Sequence, residues 1–93
     1  MQFELDPDKD QINQQKHGVP LDMGIDVFAG PFVEEEDSRV DYGETRFAAT
    51  GPAASLDDRI CVVVYTWRGA CRRLISFRKA IEKEIAKYRQ SHP

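Results

Sequence analysis

The sequence predicts an α+β fold, in which an antiparallel sheet packs with two N-terminal helices and one C-terminal helix. Helix start and stop signals fall before residue 30, β-branched and apolar runs fill much of 45–78, and an amphipathic helical pattern ends the chain. The 93 residues contain no repeat or linker. We therefore expect a single domain spanning 1–93.

The N-terminal segment predicts a short strand followed by a capped helix. We expect residues 3–5 to form the strand. Asp6 then suits the N-cap and Pro7 the first helical position, where its missing N–H costs nothing. The helix is expected to run to His17 and to end at Gly18, because glycine readily adopts the left-handed conformation that closes helices.

One face of this first helix concentrates polar groups. Asn13, Lys16 and His17 fall within about 100° of arc on the helix, whose main apolar residue is Ile12. Such a face is either solvated or part of a site. His17 also has a simpler role, because a cation in the last turn suits a helix C-terminus.

A second helix is expected from about 19 to 29, with an apolar stripe that packs on the sheet. The stripe consists of Leu21, Gly24, Ile25 and Phe28. Beyond it, 34–38 is interpreted as an acidic loop or edge, 41–43 as a turn and 45–51 as a strand.

The clearest pattern is a hairpin of two strands, 59–67 and 71–78, joined by a tight turn at 68–70. The first strand is apolar on both faces, so we expect it at the centre of the sheet. Pairing Thr66 near Cys71 turns an apolar set to the core: Ile60, Val62, Val64, Ile75 and Phe77. It turns another set to the opposite face: Arg59, Tyr65, Trp67, Arg72, Leu74, Ser76 and Arg78.

The final helix is expected to run from about Arg78 to Gln90. Its buried stripe consists of Ile81, Ile85 and Tyr88, and its opposite side carries Lys79, Lys83 and Lys87.

Charge is distributed unevenly along the chain. The net charge is −3, but residues 1–66 carry −9 and residues 67–93 carry +6. This division predicts a basic face with an anionic partner, either nucleic acid or an acidic protein. A solvated basic helix without a partner is the alternative.

Several classes of protein are not indicated. No apolar run approaches the roughly 20 residues of a membrane span, and the N-terminus lacks a signal-peptide pattern, so we expect a cytoplasmic protein with no membrane partner. Cys61 and Cys71 lie in apolar runs and are expected to be free, buried thiols. No metal-ligand spacing, phosphate loop or nucleophile motif is present, so no cofactor or metal is expected.

The remaining chemistry is a sheet face of arginine, serine and aromatic side chains, beside a helix face of asparagine, lysine and histidine. Arginine binds phosphate with two donors and aromatic rings stack on bases, which suits single-stranded RNA. Cleaving RNA without a metal requires that the 2′-OH be activated, the phosphorane neutralised and the leaving oxygen protonated. Histidine, lysine, arginine and tyrosine side chains can do all three.

Four motifs in order resemble the BrnT toxins, which are the toxin half of bacterial type II toxin–antitoxin modules. They are Asn13-x-x-Lys16-His17-Gly18-Val19, Gly43-Glu44-x-Arg46-Phe47, Val63-Val64-Tyr65-Thr66 and Arg73-x-Ile75-Ser76-x-Arg78-Lys79-Ala80-x-x-x-Glu84-x-x-x-Tyr88. The resemblance implies a RelE-like fold and a metal-independent endoribonuclease that inhibits translation. It also implies a BrnA-like antitoxin that covers the toxin and binds DNA through a ribbon-helix-helix domain, so no direct DNA binding by the toxin is expected.

The resemblance and the residue pattern together give a set of candidate site residues. The catalytic candidates are Lys16, His17, Arg72, Ser76 and Arg78, and the RNA-binding candidates are Tyr65, Trp67, Arg68, Arg73, Lys79 and Tyr88. In this hypothesis Arg78, supported by Arg72, stabilises the phosphorane. His17 or Lys16 transfers a proton, and Tyr65 or Trp67 stacks on a base.

Three alternatives stay open. The chain could be a non-catalytic RelE-like module that binds an acidic protein or RNA without cutting it. It could be a purely structural subunit. Arg78 could also pair with a carboxylate such as Glu82 and only stabilise the start of the last helix.

Overall fold

The structure is a computed structural model that describes residues 2–38 and 43–92. The predicted turn at 41–43 therefore lies largely outside the described residues, apart from Gly43. The elements are β1 (Gln2–Leu5), α1 (Pro7–His17), a 3-10 helix (Leu21–Ala29), β2 (Val33–Asp37), β3 (Arg46–Ala53), a short 3-10 turn (Ala54–Leu56), β4 (Arg59–Arg68), β5 (Cys71–Lys79) and α2 (Glu82–Ser91). The α+β class is confirmed.

The five strands form one mixed sheet in the order β1-β5-β4-β3-β2. The β4 strand is central, as its apolar sequence predicts. The prediction of an antiparallel sheet is wrong for β1, which pairs in parallel with β5 so that Phe3 lies beside Arg72. The long chain between β1 and β5 makes this possible, since parallel strands need a crossover of a dozen or more residues.

The ends of α1 match their local sequence signals. The Asp6 carboxylate accepts a hydrogen bond from the Asp8 N–H at 2.8 Å, and Pro7 is the first helical residue. At the other end Gly18 has φ 74° and its N–H donates to the Gln14 carbonyl. The short polar side chain and the glycine thus fix both ends of the helix.

The 3-10 helix packs on one face of the sheet, which we call the covered face. Leu21, Gly24, Val27 and Phe28 are its buried residues. Three of them recur every third residue, because a 3-10 helix has three residues per turn. With this period Val27 is fully buried, whereas the predicted Ile25 is only half-buried. Gly24 allows close approach, since a Cβ there would lie 3.1 Å from the Val63 side chain.

The register of the β4–β5 hairpin differs from the prediction. Arg68 pairs with Cys71, and Thr66 pairs with Arg73. Further along, Tyr65 pairs with Leu74 but Val64 pairs with Ser76, so Ile75 is the extra residue of a β-bulge.

The bulge at Ile75 changes the predicted facing of the residues that follow it on β5. The covered face carries Cys61, Val63, Tyr65, Leu74 and Phe77 in the core. The opposite face, which we call the cleft face, carries Val62, Val64, Thr66, Arg73, Ser76 and Arg78. Phe77 is therefore a core residue as predicted, and Val62 and Val64 are buried as predicted, although on the cleft face. The predictions for Tyr65 and Leu74 are wrong, because both lie in the core on the covered face. The predicted and observed pairings differ by two residues, which keeps the alternation, whereas the one extra residue of the bulge turns Ser76 and Arg78 away from the face that carries Arg72.

The last helix begins later than predicted, because β5 continues to Lys79 and α2 starts at Glu82. Tyr88 is its buried residue, and its hydroxyl donates to the Pro31 carbonyl at 2.9 Å. Ile81 is 55% exposed, so the predicted stripe is buried only toward its C-terminal end. None of the helices in the described ranges combines the length and apolar character needed to cross a membrane.

Candidate functional site

A cleft of about 290 Å³ lies on the cleft face between α1 and β5. Cationic side chains surround it: Lys9, Lys16, Arg46 and Arg78. Its apolar wall is aliphatic and comes from Ile12, Val64 and Ile75, and His17 and Ser76 also line it. We call this the cationic cleft. It brings together four of the five predicted catalytic residues.

Asn13 joins α1 to β5 directly beneath this cleft. Its Nδ2 donates to the Phe77 carbonyl at 2.9 Å, and its Oδ1 accepts from the Phe77 N–H at 2.8 Å. A third bond runs from Nδ2 to the Val19 carbonyl at 2.9 Å. The side chain is 2% exposed, so the helix face predicted to be polar is built around a buried amide.

His17 occupies the last turn of α1 and is half-buried. Desolvation by burial lowers the pKa of its imidazole below the ordinary value, and the positive charges of Lys16 and Arg78 lower that pKa further. The neutral imidazole is therefore favoured at neutral pH. A neutral imidazole among cations can accept a proton from a substrate hydroxyl.

Arg78 lines the cationic cleft but is also engaged in an ion pair. Its Nη1 and Nη2 donate to the two carboxylate oxygens of Glu84 at 2.8 and 2.9 Å. The same carboxylate accepts from the Ile81 N–H at 2.9 Å and caps the start of α2. The alternative interpretation of Arg78 as an ion-pair residue is therefore realised, with Glu84 and not Glu82 as the partner.

Arg72 lies on the covered face, away from Arg78. Its guanidinium carbon is 4.6, 5.1 and 4.5 Å from the ring centroids of Phe28, Tyr65 and Trp67. Only 9% of Arg72 is exposed. It therefore stabilises an aromatic cluster on the far side of the sheet and does not reach the cationic cleft.

The two aromatic candidates for base stacking belong to the same cluster. Tyr65 is fully buried, and its hydroxyl donates to the Glu34 carboxylate. Trp67 is 44% exposed, but its ring packs against Tyr65 and Arg72 on the covered face. Neither ring is available to a base in the cationic cleft.

The other RNA-binding candidates are dispersed. Arg73 forms ion pairs with Glu4 and, at 2.7 Å, with Asp6, which tie the first strand to the sheet. Tyr88 is buried against Pro31. Arg68 and Lys79 are exposed near the two ends of the hairpin and line neither cleft.

Sequence reasoning missed Lys9, Arg46 and Asp37, which line the cationic cleft. The sequence could have indicated Arg46, because this residue belongs to the motif Gly43-Glu44-x-Arg46-Phe47. It pairs with Glu44 at 3.1 Å and lies opposite Asp37 in the β2–β3 register. Contacts between strands of this kind cannot be derived from periodicity within one strand.

A second cleft of about 240 Å³ lies between β2, β3 and α2, and it shares Asp37, Val64 and Arg78 with the first. Its charged side chains are mainly acidic and include Glu35, Glu36 and Glu84. We call it the acidic cleft. The cleft face is therefore divided by charge, cationic beside α1 and anionic beside α2.

The described residues contain no group of three histidine, cysteine, aspartate or glutamate side chains suited to hold a metal ion. The cysteines are free; Cys61 is buried and Cys71 is half-buried. Burial raises the pKa of the Cys61 thiol, which favours the unreactive protonated form.

The chain matches a family of known proteins over most of its length. The model of the family described as "Ribonuclease toxin, BrnT, of type II toxin-antitoxin system" matches residues 5–84. The chain therefore belongs to the BrnT toxin family of type II toxin–antitoxin systems, as the four motifs indicated, and this family membership implies a protein antitoxin partner.

A solved structure supports the same fold. The chain is similar to the 1.1 Å crystal structure of the Brucella abortus ribonuclease toxin, BrnT, with a TM-score of 0.63 and 24% sequence identity. The similarity covers 88% of this chain and 99% of that chain. No curated protein sequence matches the chain.

Proposed function

We propose that this protein is a metal-independent endoribonuclease that inhibits translation by cutting RNA in the cationic cleft. The observation that carries the proposal is the meeting of His17, Lys16, Ser76 and Arg78 in one cleft, where burial and neighbouring cations favour the neutral imidazole. A proton acceptor beside phosphate-binding cations is what transesterification requires. The family description, a ribonuclease toxin, supports the same reaction class.

The reaction uses the 2′-OH of the RNA as the nucleophile. His17 accepts the 2′-OH proton as the oxygen attacks phosphorus. The cationic side chains of Lys16 and Arg78 stabilise the charge on the phosphorane. The 5′-oxygen then leaves with a proton donated by the Lys16 ammonium group, which yields a 2′,3′-cyclic phosphate and a 5′-OH. The Ser76 hydroxyl can donate a hydrogen bond to a phosphate oxygen.

The base beside the cut phosphate is proposed to lie on aliphatic side chains. Ile12 is 54% exposed, an unusual exposure for the main apolar residue of a polar helix, and it lines the cationic cleft with Val64 and Ile75. This subsite takes over the stacking role that the sequence suggested for Tyr65 and Trp67. Because the acidic cleft repels phosphate, the RNA strand is expected to leave the cationic cleft along α1.

Phosphate and Glu84 compete for Arg78 in this mechanism. Glu84 holds both terminal nitrogens of the guanidinium, so a phosphate must displace the carboxylate or share the guanidinium with it. Displacement also removes the cap at Ile81. We therefore expect RNA binding at Arg78 to loosen the start of α2.

The partner is proposed to be a BrnA-like antitoxin that covers the cationic cleft. The family implies a protein antitoxin, and an acidic segment would suit the cations around His17. In this arrangement the antitoxin supplies DNA binding through a ribbon-helix-helix domain, whereas the toxin contacts RNA. Both partners would meet in the cytoplasm.

A non-catalytic binding module is the second candidate. The observation that favours it is the Arg78–Glu84 pair, since an arginine already neutralised by a carboxylate is a weaker phosphate ligand. Such a module would bind RNA or an acidic protein and leave RNA intact.

Cleavage of RNA by the purified protein in excess EDTA separates the two candidates. We expect the parent to cut a mixed-sequence single-stranded RNA and leave 2′,3′-cyclic phosphate ends. His17→Asn, checked for folding by circular dichroism, is expected to lose at least 100-fold in rate, the scale typical of an acid–base group. Absence of cleavage by the folded parent, even with ribosomes added, would overturn the proposal in favour of the binding module.

A further inference from the structure

We propose that Asn13 is a positioning residue, whose buried carboxamide locks α1 onto β5 and so sets the position of His17 relative to Arg78. The kinetic consequence of this inference, slower cleavage of RNA by Asn13 variants, rests on the proposed function. The geometric part of the inference rests only on the hydrogen bonds of Asn13, and one arm of the experiment tests that part alone.

The Asn13 carboxamide makes the hydrogen bonds with β5 that a neighbouring strand would make. The β1 strand pairs with β5 from Cys71 to Leu74 and ends there, so no strand among residues 2–38 and 43–92 pairs with the β1-side edge of β5 beyond that point. At Phe77 the Asn13 side chain makes both bonds that a paired residue would make, one with the N–H and one with the carbonyl. In an antiparallel sheet such a double exchange defines a hydrogen-bonded residue pair.

The orientation of this carboxamide is determined by its partners. Oδ1 must face the Phe77 N–H, because that group is a donor. Nδ2 must then donate to the two remaining partners, the carbonyls of Phe77 and Val19. Both amide hydrogens are used, and a reversed amide would turn an N–H toward an N–H. The side chain therefore has one satisfied orientation in its buried site.

The sequence positions of these contacts connect the amide to the proposed chemistry. Phe77 lies between Ser76 and Arg78 on β5, and Asn13 lies one helical turn before His17 on α1. Residues four apart on a helix share a face. A single buried side chain thus fixes the helix that carries His17 to the strand segment that carries Ser76 and Arg78.

The surroundings of His17 depend on this attachment. The charged groups that line the cleft with His17 are Lys9 and Lys16 on α1, Asp37 on β2, Arg46 on β3 and Arg78 on β5. A movement of α1 away from β5 would hydrate the imidazole and increase its separation from the β5 cation. In enzyme active sites, a misplacement of a reacting group by about 1 Å can cost about 100-fold in rate.

Two variants test the attachment. Asn13→Ala removes all three hydrogen bonds. Asn13→Gln keeps the same amide but adds one methylene, so it can satisfy the buried groups only by displacing α1. Val27→Ala serves as the matched control, because Val27 is fully buried on the covered face and lines neither cleft. It weakens the core on the covered face without changing charge.

The first readout is the titration of the His17 imidazole by NMR, in a His92→Gln background that leaves a single histidine. We expect the pKa of His17 to rise toward its ordinary value in both Asn13 variants and to stay unchanged in Val27→Ala. An unchanged His17 pKa in a folded Asn13→Gln protein would overturn the inference. This variant decides the question even if Asn13→Ala does not fold.

The second readout is cleavage of a mixed-sequence 20-nucleotide single-stranded RNA in EDTA. For the Asn13 variants we expect kcat to fall by about tenfold or more, with KM changed much less, while Val27→Ala keeps the parental kcat at a temperature where it is folded. Equal losses in the Asn13 variants and in Val27→Ala would reduce Asn13 to a structural residue and overturn the inference. If the parent itself does not cleave RNA, the proposed function fails, whereas the titration still decides whether Asn13 positions His17.

Discussion

Arg78 and Glu84 form a two-point ion pair, in which Nη1 lies 2.8 Å from Oε1 and Nη2 lies 2.9 Å from Oε2. Both side chains are about a quarter exposed. Glu84 also caps α2 at Ile81. One carboxylate therefore joins the end of β5 to the last helix while it occupies donors that an RNA phosphate would use.

This pair predicts opposite effects of Glu84→Gln on stability and on RNA binding. The amide keeps the cap but removes the charge, so we expect the free energy of unfolding to fall by about 1 kcal/mol, given the partial exposure. RNA affinity is expected to rise severalfold, because Arg78 loses its competing anion. Urea unfolding and fluorescence anisotropy with single-stranded RNA measure the two effects. Glu82→Gln, an exposed neighbour, should change neither, and weaker RNA binding by Glu84→Gln would contradict the competition.

The lowered pKa of His17 predicts the pH dependence of cleavage. As a general base His17 must be neutral, so the acid limb of kcat/KM, which reports the free enzyme, should lie below the ordinary histidine pKa of about 6.5. A rate profile between about pH 4.5 and pH 8 measures it. An acid limb above the ordinary histidine value would exclude the neutral His17 as the base.

The same shift predicts how stability changes with pH. Because folding lowers the pKa of His17, the unfolded chain takes up the proton first as the pH falls. The contribution of neutral His17 is present above about pH 6.5 and is lost as the pH falls through the lower, folded-state value. We expect His17→Gln to remove this part of the pH dependence in urea unfolding. If the stability of His17→Gln falls equally steeply with decreasing pH, this pH dependence belongs to other titrating groups.

Arg72 is expected to contribute to stability and not to cleavage. Its guanidinium packs against three aromatic rings on the covered face, so Arg72→Ala should lower the free energy of unfolding by about 2 kcal/mol. Arg72→Lys should restore only part of this, because an ammonium group lacks the planar stacking surface. Urea unfolding measures both variants, and wild-type stability of Arg72→Ala would show that the cluster does not depend on the cation.

Lys16 is expected to contribute one phosphate contact. For single strands the logarithm of affinity falls with the logarithm of salt by about 0.7 per neutralised phosphate. Lys16→Ala should therefore reduce the slope by about 0.7 and weaken binding at low salt. Anisotropy titrations at several salt concentrations measure this slope. Lys83→Ala is the control, since Lys83 is exposed on α2 and lines neither cleft; the same loss there would indicate only a general charge effect.

Much of the fold could be predicted because its signals are local. Asp6, Pro7 and Gly18 determine the ends of α1 through caps that involve only neighbouring residues. The β-branched run of 60–65 identified the central strand, because such side chains pack well on both faces of a buried sheet. Helices and strands of this kind are specified within a few residues.

The pairing and the facing of the hairpin could not be predicted, for two physical reasons. The turn is formed by Gly69 and Ala70 alone, so Arg68 pairs with Cys71, and this register is set by turn geometry. The bulge at Ile75 then reverses the alternation for residues 76–78. Periodicity within either strand contains neither fact, and Arg72 was consequently assigned to the same face as Arg78.

The candidate site could be predicted only in part, because some of its features are local and others depend on packing between elements. Lys16 and His17 share a helix face by spacing alone, and their charge and chemistry marked them. Their meeting with Arg78 and Arg46 depends on packing between α1, β3 and β5, which a single sequence does not specify. The sequence indicated that Arg78 could pair with a carboxylate at the start of the last helix. Which glutamate it contacts depends on where α2 begins, and the partner is Glu84.

A comparison of Arg78→Ala with Arg72→Ala tests most directly whether the chemistry belongs to the cleft face. Both variants remove one guanidinium from β5, one on each side of the sheet. The measurement is the single-turnover rate of RNA cleavage in EDTA, at a temperature where circular dichroism shows both proteins folded. We predict that Arg78→Ala loses at least about 100-fold, whereas Arg72→Ala keeps the parental rate. Loss in Arg72→Ala with full activity in Arg78→Ala would contradict the account and move the site to the covered face.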